Sequence, residues 1–146
     1  MARTILLQGA KRTAVQVVHE STHDIESFIW VLSYCVMRNI CHRASQRFAP
    51  MEVRNQSHAL KVRLRRAFGQ TTTGFIAELR QSGSSALTFP EESDVNEITR
   101  SFMSDAHVAL FHDLRGLIHR HDDPFDPTAL THDSLLAVVN QRLASL

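Results

Sequence analysis

An all-α fold, a helical bundle in one domain spanning residues 1–146, is what the sequence predicts. Three observations predict it. An apolar run is entered through a dense polar cap at Ser21–Asp24, and two further apolar patterns, starting at Val53 and Val95, recur at helical spacing. The breakers Gly69 and Asp122-Asp-Pro-Phe-Asp-Pro127 fall at the ends of those patterns and not inside them. With 146 residues and 43% hydrophobic content the chain can bury a core of its own. There is no internal repeat and no low-complexity tract.

Residues 1–20 form a mixed lead-in, in which Ala14-Val-Gln-Val-Val18 is too short to assign as helix or strand, and residues 21–146 form the helical core. Ser21 and Asp24 have the spacing at which a hydroxyl and a carboxylate close the free N–H groups of a helix start, so the chain is expected to be helical past Asp24. As a plain cap, Asp24 is worth about 1 kcal/mol. Phe28, Leu32 and Cys35 share one face of this first helix, while Trp30, Val31, Tyr34 and Met37 make the other face apolar too. A helix apolar all round is a core helix. Phe28, Trp30 and Tyr34 are its expected anchors, each contributing about 1.5–3 kcal/mol through burial, with Leu32 beside them.

Pro50 opens the second helix, where a missing N–H is harmless. Val53, Ser57, Leu60, Leu64 and Phe68 then repeat at helical spacing up to Gly69. Phe75, Ile76 and Leu79 suggest a short third helix over Thr71 to Gln81, and Gln81-Ser-Gly-Ser-Ser-Ala86 reads as a flexible loop. Ser93 or Asp94 can cap the next segment. Its stripe runs Val95, Ile98, Phe102, Ala106, Leu110, Leu114, Leu117 and Ile118, with a break expected near Ser104. Two prolines in 122–127 end it, and Thr131 starts a last helix bearing Leu135, Leu136, Val139 and Leu143.

Composition narrows the function classes. The net charge is +1, yet Arg38, Arg43, Arg47, Arg54, Lys61, Arg63, Arg65 and Arg66 face the single acid Glu52, whereas Glu91 to Asp126 is mostly acidic. On the second helix Arg54, His58, Lys61 and Arg65 fall on one stripe at spacings of four, three and four. Such a stripe can follow nucleic-acid phosphates. No interleaved aromatics accompany it, so the sequence favours a solvated face or a dock for the acidic half of the same chain. The longest apolar run, Phe28 to Met37, is far below the roughly 18 residues of a membrane span, and the N-terminal apolar segment is too short for a signal peptide. Cys35 and Cys41 turn to opposite sides of one helix, which predicts free buried thiols and an intracellular, reducing compartment, cytoplasm or nucleus.

His19-Glu-Ser-Thr-His23 spells the zinc-peptidase motif, two histidines one turn apart with a glutamate to activate water. The motif must lie within a helix, but here it falls on the polar lead-in. The extended pattern also needs Gly and His further on, where this chain has Glu26 and Ile29. His107, His112, His119, His121, Asp122 and Asp123 have irregular spacings, and a helix end explains His119 and His121 without a metal. No metal and no cofactor are expected.

Asp24-Ile-Glu-Ser-Phe-Ile-Trp-Val-Leu32, with its His/Asp-rich lead-in, resembles the central helix of the C-terminal lobe in the fungal-type protein kinase family. Met37-Arg-Asn-Ile40, His42-Arg-Ala-Ser-Gln-Arg47, Phe68-Gly-Gln-Thr-Thr-Thr73, Phe102-Met-Ser-Asp-Ala106 and Leu130-Thr-His-Asp133 are similar to the end of such proteins, so the resemblance covers nearly the whole chain. It implies an all-helical lobe in which Asp24 matches the aspartate that holds the catalytic-loop backbone and Ser27 the serine one turn on.

Kinase chemistry also needs a Gly-rich loop, a strand lysine paired to a helix glutamate, a His-Arg-Asp base and an Asp-Phe-Gly metal ligand. These residues hold none of them. Ile5 stands where the resemblance expects a glutamate before Leu6-Leu7. His119-Arg-His-Asp122 lies downstream of the core helix and has Pro127 in place of the metal-binding asparagine. The expectation is a truncated or degenerate lobe, incompetent alone, that binds a protein partner or itself. The alternative is the C-terminal part of an active Ser/Thr kinase whose other motifs are encoded upstream.

Overall fold

The computed structural model describes residues 21–46, 48–69 and 85–144, and within them every regular element is helical. The lead-in and the expected helix over Thr71 to Gln81 lie outside the described residues. The elements are α1 (Ser21–Ala44), α2 (Met51–Phe68), the single turn α3 (Ser85–Thr88), two 3-10 turns (Phe89–Glu91 and Ser93–Val95), α4 (Asn96–Phe102), α5 (Asp105–His121) and α6 (His132–Leu143). α1 is the hub. Among the described helices it touches every other one.

The inward face of α1 carries Ile25, Ile29, Met37 and Ile40, all nearly inaccessible, at the spacing that puts them in one row. Trp30 is 3% exposed, with its indole N–H donating to Glu26 Oε1 at 3.2 Å and its ring edge-on to Phe68. Ser33 is fully buried in this apolar row because its hydroxyl donates to the Ala86 carbonyl. That bond fixes the start of α3. Ala86 and Leu87 are buried there, so the expected flexible loop gives way to a helical turn at Ser85; its earlier residues are outside the described set.

The all-round core reading of α1 is corrected at Phe28, which is 52% exposed. Leu32 and Tyr34 are half-buried. The other described helices pack on one side of α1, and Asp24, Phe28, Val31, Cys35 and Arg38, all exposed, fall together on the side they leave open. The helix also includes Ser21, so Ser21 and Asp24 lie in the first turn instead of preceding it. An acid in that turn still complements the helix dipole.

α2 returns along α1, bringing Phe68 against Trp30 and Tyr34 at ring-centroid distances of 6.5 and 5.3 Å. Val53, Ser57 and Leu60 are buried, and Leu64 and Phe68 pack at the margin of the core. Gly69 closes the helix, its N–H donating to the Arg65 carbonyl at 2.7 Å. Phe89, fully buried, then packs edge-on against Phe111 at 5.3 Å and carries the chain towards α4.

The start of α4 corrects the expected cap. Neither Ser93 nor Asp94 caps it; Gln56 of α2 accepts from the backbone N–H of Glu97 and Ile98 at 2.9 and 3.0 Å, and donates to Asn96 Oδ1 at 3.0 Å. The break near Ser104 is present: Met103 is extended, and Ser104 caps α5 in a reciprocal box with His107. Thr131 and Ser134 form the same box at α6. α5 and α6 run antiparallel, tied by Arg142, whose Nε and Nη2 donate to Asp113 Oδ2 at 2.7 Å. No helix among the described residues is long and apolar enough to cross a membrane.

Candidate functional site

Two surfaces of the α1–α2 pair gather the residues that the sequence singles out. The first is the open side of α1. Asp24 begins it, Ser27 lies half-buried one turn on, and Phe28, Val31 and Cys35 continue it as exposed apolar or thiol side chains. Helical geometry makes this a continuous row, because steps of four and three residues keep side chains on one face. It exposes apolar area that solvent does not favour.

The second surface is the outer stripe of α2. Arg54, His58, Lys61 and Arg65 are all exposed, as the period predicts. The expected dock for the acidic segment is elsewhere on the helix, at Arg63. Its Nη2 lies 2.7 Å from Glu92 Oε2 and 2.8 Å from both carboxylate oxygens of Asp94. Burial presses against the charge of Arg63, but the hydrogen bonds to Asp94 and Glu92 more than offset it and hold the guanidinium above its ordinary range. Arg63 is 20% exposed, on the opposite edge of the buried face from the stripe.

Tyr34 joins the stripe to α1. Its ring meets Phe68 edge-on, and Arg38 Nη1 approaches its hydroxyl at 3.4 Å with the guanidinium 5.9 Å from the ring centroid. Lys61 sits near enough to Cys41 for its charge to act on the thiol. Burial dominates there and pushes Cys41 above the ordinary thiol value, whereas Cys35 is exposed, which corrects the expectation that both thiols are buried.

Of the zinc-motif pair, His19 lies outside the described residues, and His23 is buried in the first turn of α1 and not on a polar lead-in. Among the described residues no three His, Cys, Asp or Glu side chains converge to hold a metal ion. A shallow apolar groove between α5 and α6 is lined by Ala106, Leu110, Val139 and Leu143, with His107 and Arg142 at its rim. At the far end of that helix pair Asp123 Oδ1 accepts from the N–H of Phe125 and Asp126 at 2.8 and 3.2 Å, which holds its carboxyl below the usual range and leaves Phe125 95% exposed.

Gln56 and Arg63 escape sequence reasoning, since each acts through a partner far away in the chain, whereas Tyr34 and Arg38 stand one turn apart on α1 at a spacing the sequence already shows. The charge asymmetry was the one signal for Arg63. No family model matches this chain, no curated protein matches it, and no solved structure matches it.

Proposed function

We propose that this chain is a helical protein-interaction module related to the C-terminal lobe of a fungal-type protein kinase, and that it does not transfer phosphate by itself. The observation that carries the reading is the uncovered side of the hub helix. In the resembled lobe the central helix is covered partly by the catalytic loop and the activation segment, and the aspartate corresponding to Asp24 holds that loop. Here Asp24 and the exposed apolar residues Phe28 and Val31 share a side of α1 that the other described helices leave open. A protein partner, or a second copy, removes that apolar area from water. The absence of a Gly-rich loop, a His-Arg-Asp base and an Asp-Phe-Gly ligand from these residues supports the catalytic half of the reading.

Two measurements test it. Titration of Mg-ATP and a phosphate-transfer assay on the purified chain are expected to give no binding and no transfer; either signal overturns the inactivity. Sedimentation velocity is expected to show concentration-dependent association that Phe28→Asp with Val31→Asp abolishes. A wild-type chain that stays monomeric and binds no candidate kinase segment removes the interaction role.

A further inference from the structure

We infer that the outer edge of the α1–α2 pair binds the phosphate backbone of nucleic acid. Arg54, His58, Lys61 and Arg65 form an exposed row on α2, and Arg54 to Arg65 spans eleven residues, a rise of about 16 Å. Arg38 of α1 extends the row. Its guanidinium lies 5.9 Å from the centroid of the Tyr34 ring, which itself packs on Phe68 at the end of α2, and this contact favours an orientation towards that end of the helix.

Two features of the structure favour a ligand over a merely solvated face. Four acids of the acidic segment are engaged elsewhere and do not neutralise this row: Arg63 takes Glu92 and Asp94, Arg115 takes Glu91, and Arg142 takes Asp113. Arg54, Lys61 and Arg65 form no ion pair with a described residue, so their charge is available outwards. The structure also brings an aromatic to the end of the row, because the half-buried Tyr34 ring of α1 packs edge-on against Phe68, one turn beyond Arg65.

Nucleic acid fits this row better than an acidic protein does. A phosphodiester strand presents one charge about every 3.4 Å of axial rise, so cations distributed over about 16 Å meet acceptors in any register. An acidic protein would need carboxylates matched to each position. Base selectivity is not expected, since phosphate contacts position a protein without reading sequence.

Fluorescence anisotropy with a labelled single-stranded RNA and a labelled DNA duplex, from low to moderate salt, tests the inference. Four permanent cations predict a log–log salt slope of about −2.8 on the single strand and about −3.6 on the duplex. Arg54→Ala with Arg65→Ala is expected to halve the slope and weaken binding roughly 25-fold or more at 0.1 M salt, while Arg100→Ala, in the acidic segment, leaves both unchanged. Lys61→Gln, expected to remove one contact from the slope, keeps the test decisive if the double variant does not melt cooperatively. No binding at low salt, an unchanged slope in Lys61→Gln and the double variant, equal weakening by Arg100→Ala, or tighter binding to polyglutamate or anionic vesicles overturns it.

Discussion

The hydroxyl of Thr99 is buried inside α4 without a hydrogen-bond partner. Desolvating an unpaired hydroxyl costs about 1–3 kcal/mol, so Thr99→Val, which keeps the shape, is expected to stabilise the chain by about 1 kcal/mol and raise the melting temperature by roughly 3 °C. Ser33 is the opposite case. Its hydroxyl satisfies the Ala86 carbonyl, so Ser33→Ala leaves a buried acceptor bare and lowers stability in the same melt. The two thiols also separate: at neutral pH, labelling of the native chain is expected to show one fast site, Cys35, and one slow site, Cys41. Raising the Cys41 value on folding adds stability that is present below the ordinary thiol value of 9.0 and is lost as pH rises through the raised value, so alkaline titration weakens the fold. The sequence makes a disulfide between them improbable by period alone. It does not say which side of α1 is covered, and for that reason the exposure of Phe28 and Cys35 is not legible in it.

Helix spacing was the legible part at the scale of elements. Val53, Leu60 and Ile98 fall on buried faces, and the break at Ser104 stands where the polar residue interrupts the stripe. Caps supplied by neighbours in sequence, such as Thr131, are readable; Gln56 is not, because it serves a helix forty residues further on. Gln56→Leu strips two backbone N–H groups of their acceptor and is expected to cost about 1–3 kcal/mol, measured by denaturant unfolding, whereas Gln56→Glu retains the acceptor and most of the stability. Gly69 terminates α2 for a steric reason. A Cβ there would lie 2.6 Å from the Arg65 carbonyl oxygen, so Gly69→Ala forces the last turn to shift and lowers stability despite alanine's better helix propensity.

For the molecule as a whole, the opposed charges of its two halves are plain in the sequence, but the residue that joins them is not. Arg63 reaches two acids from a position where it is mostly covered, while Arg100 pairs with Glu97 on the open surface of a single helix and is 72% exposed. Arg63→Met is therefore expected to lower stability by about 1–2 kcal/mol and Arg100→Met to change it by less than about 0.5 kcal/mol, a difference that chemical denaturation of the two variants reads directly. Added salt screens the surface pair more than the covered one. The kinase resemblance and the binding face rest on particular residues, Asp24 to Leu32 and Arg54 to Arg65, and their tests are independent of one another.

Because α1 meets every other described helix, no neighbour can detach without uncovering part of it. Amide protons along Ile29 to Ile40 are thus expected to exchange with deuterium only when the entire chain opens, while those of α6, which shares most of its contacts with α5 alone, escape through smaller, earlier openings.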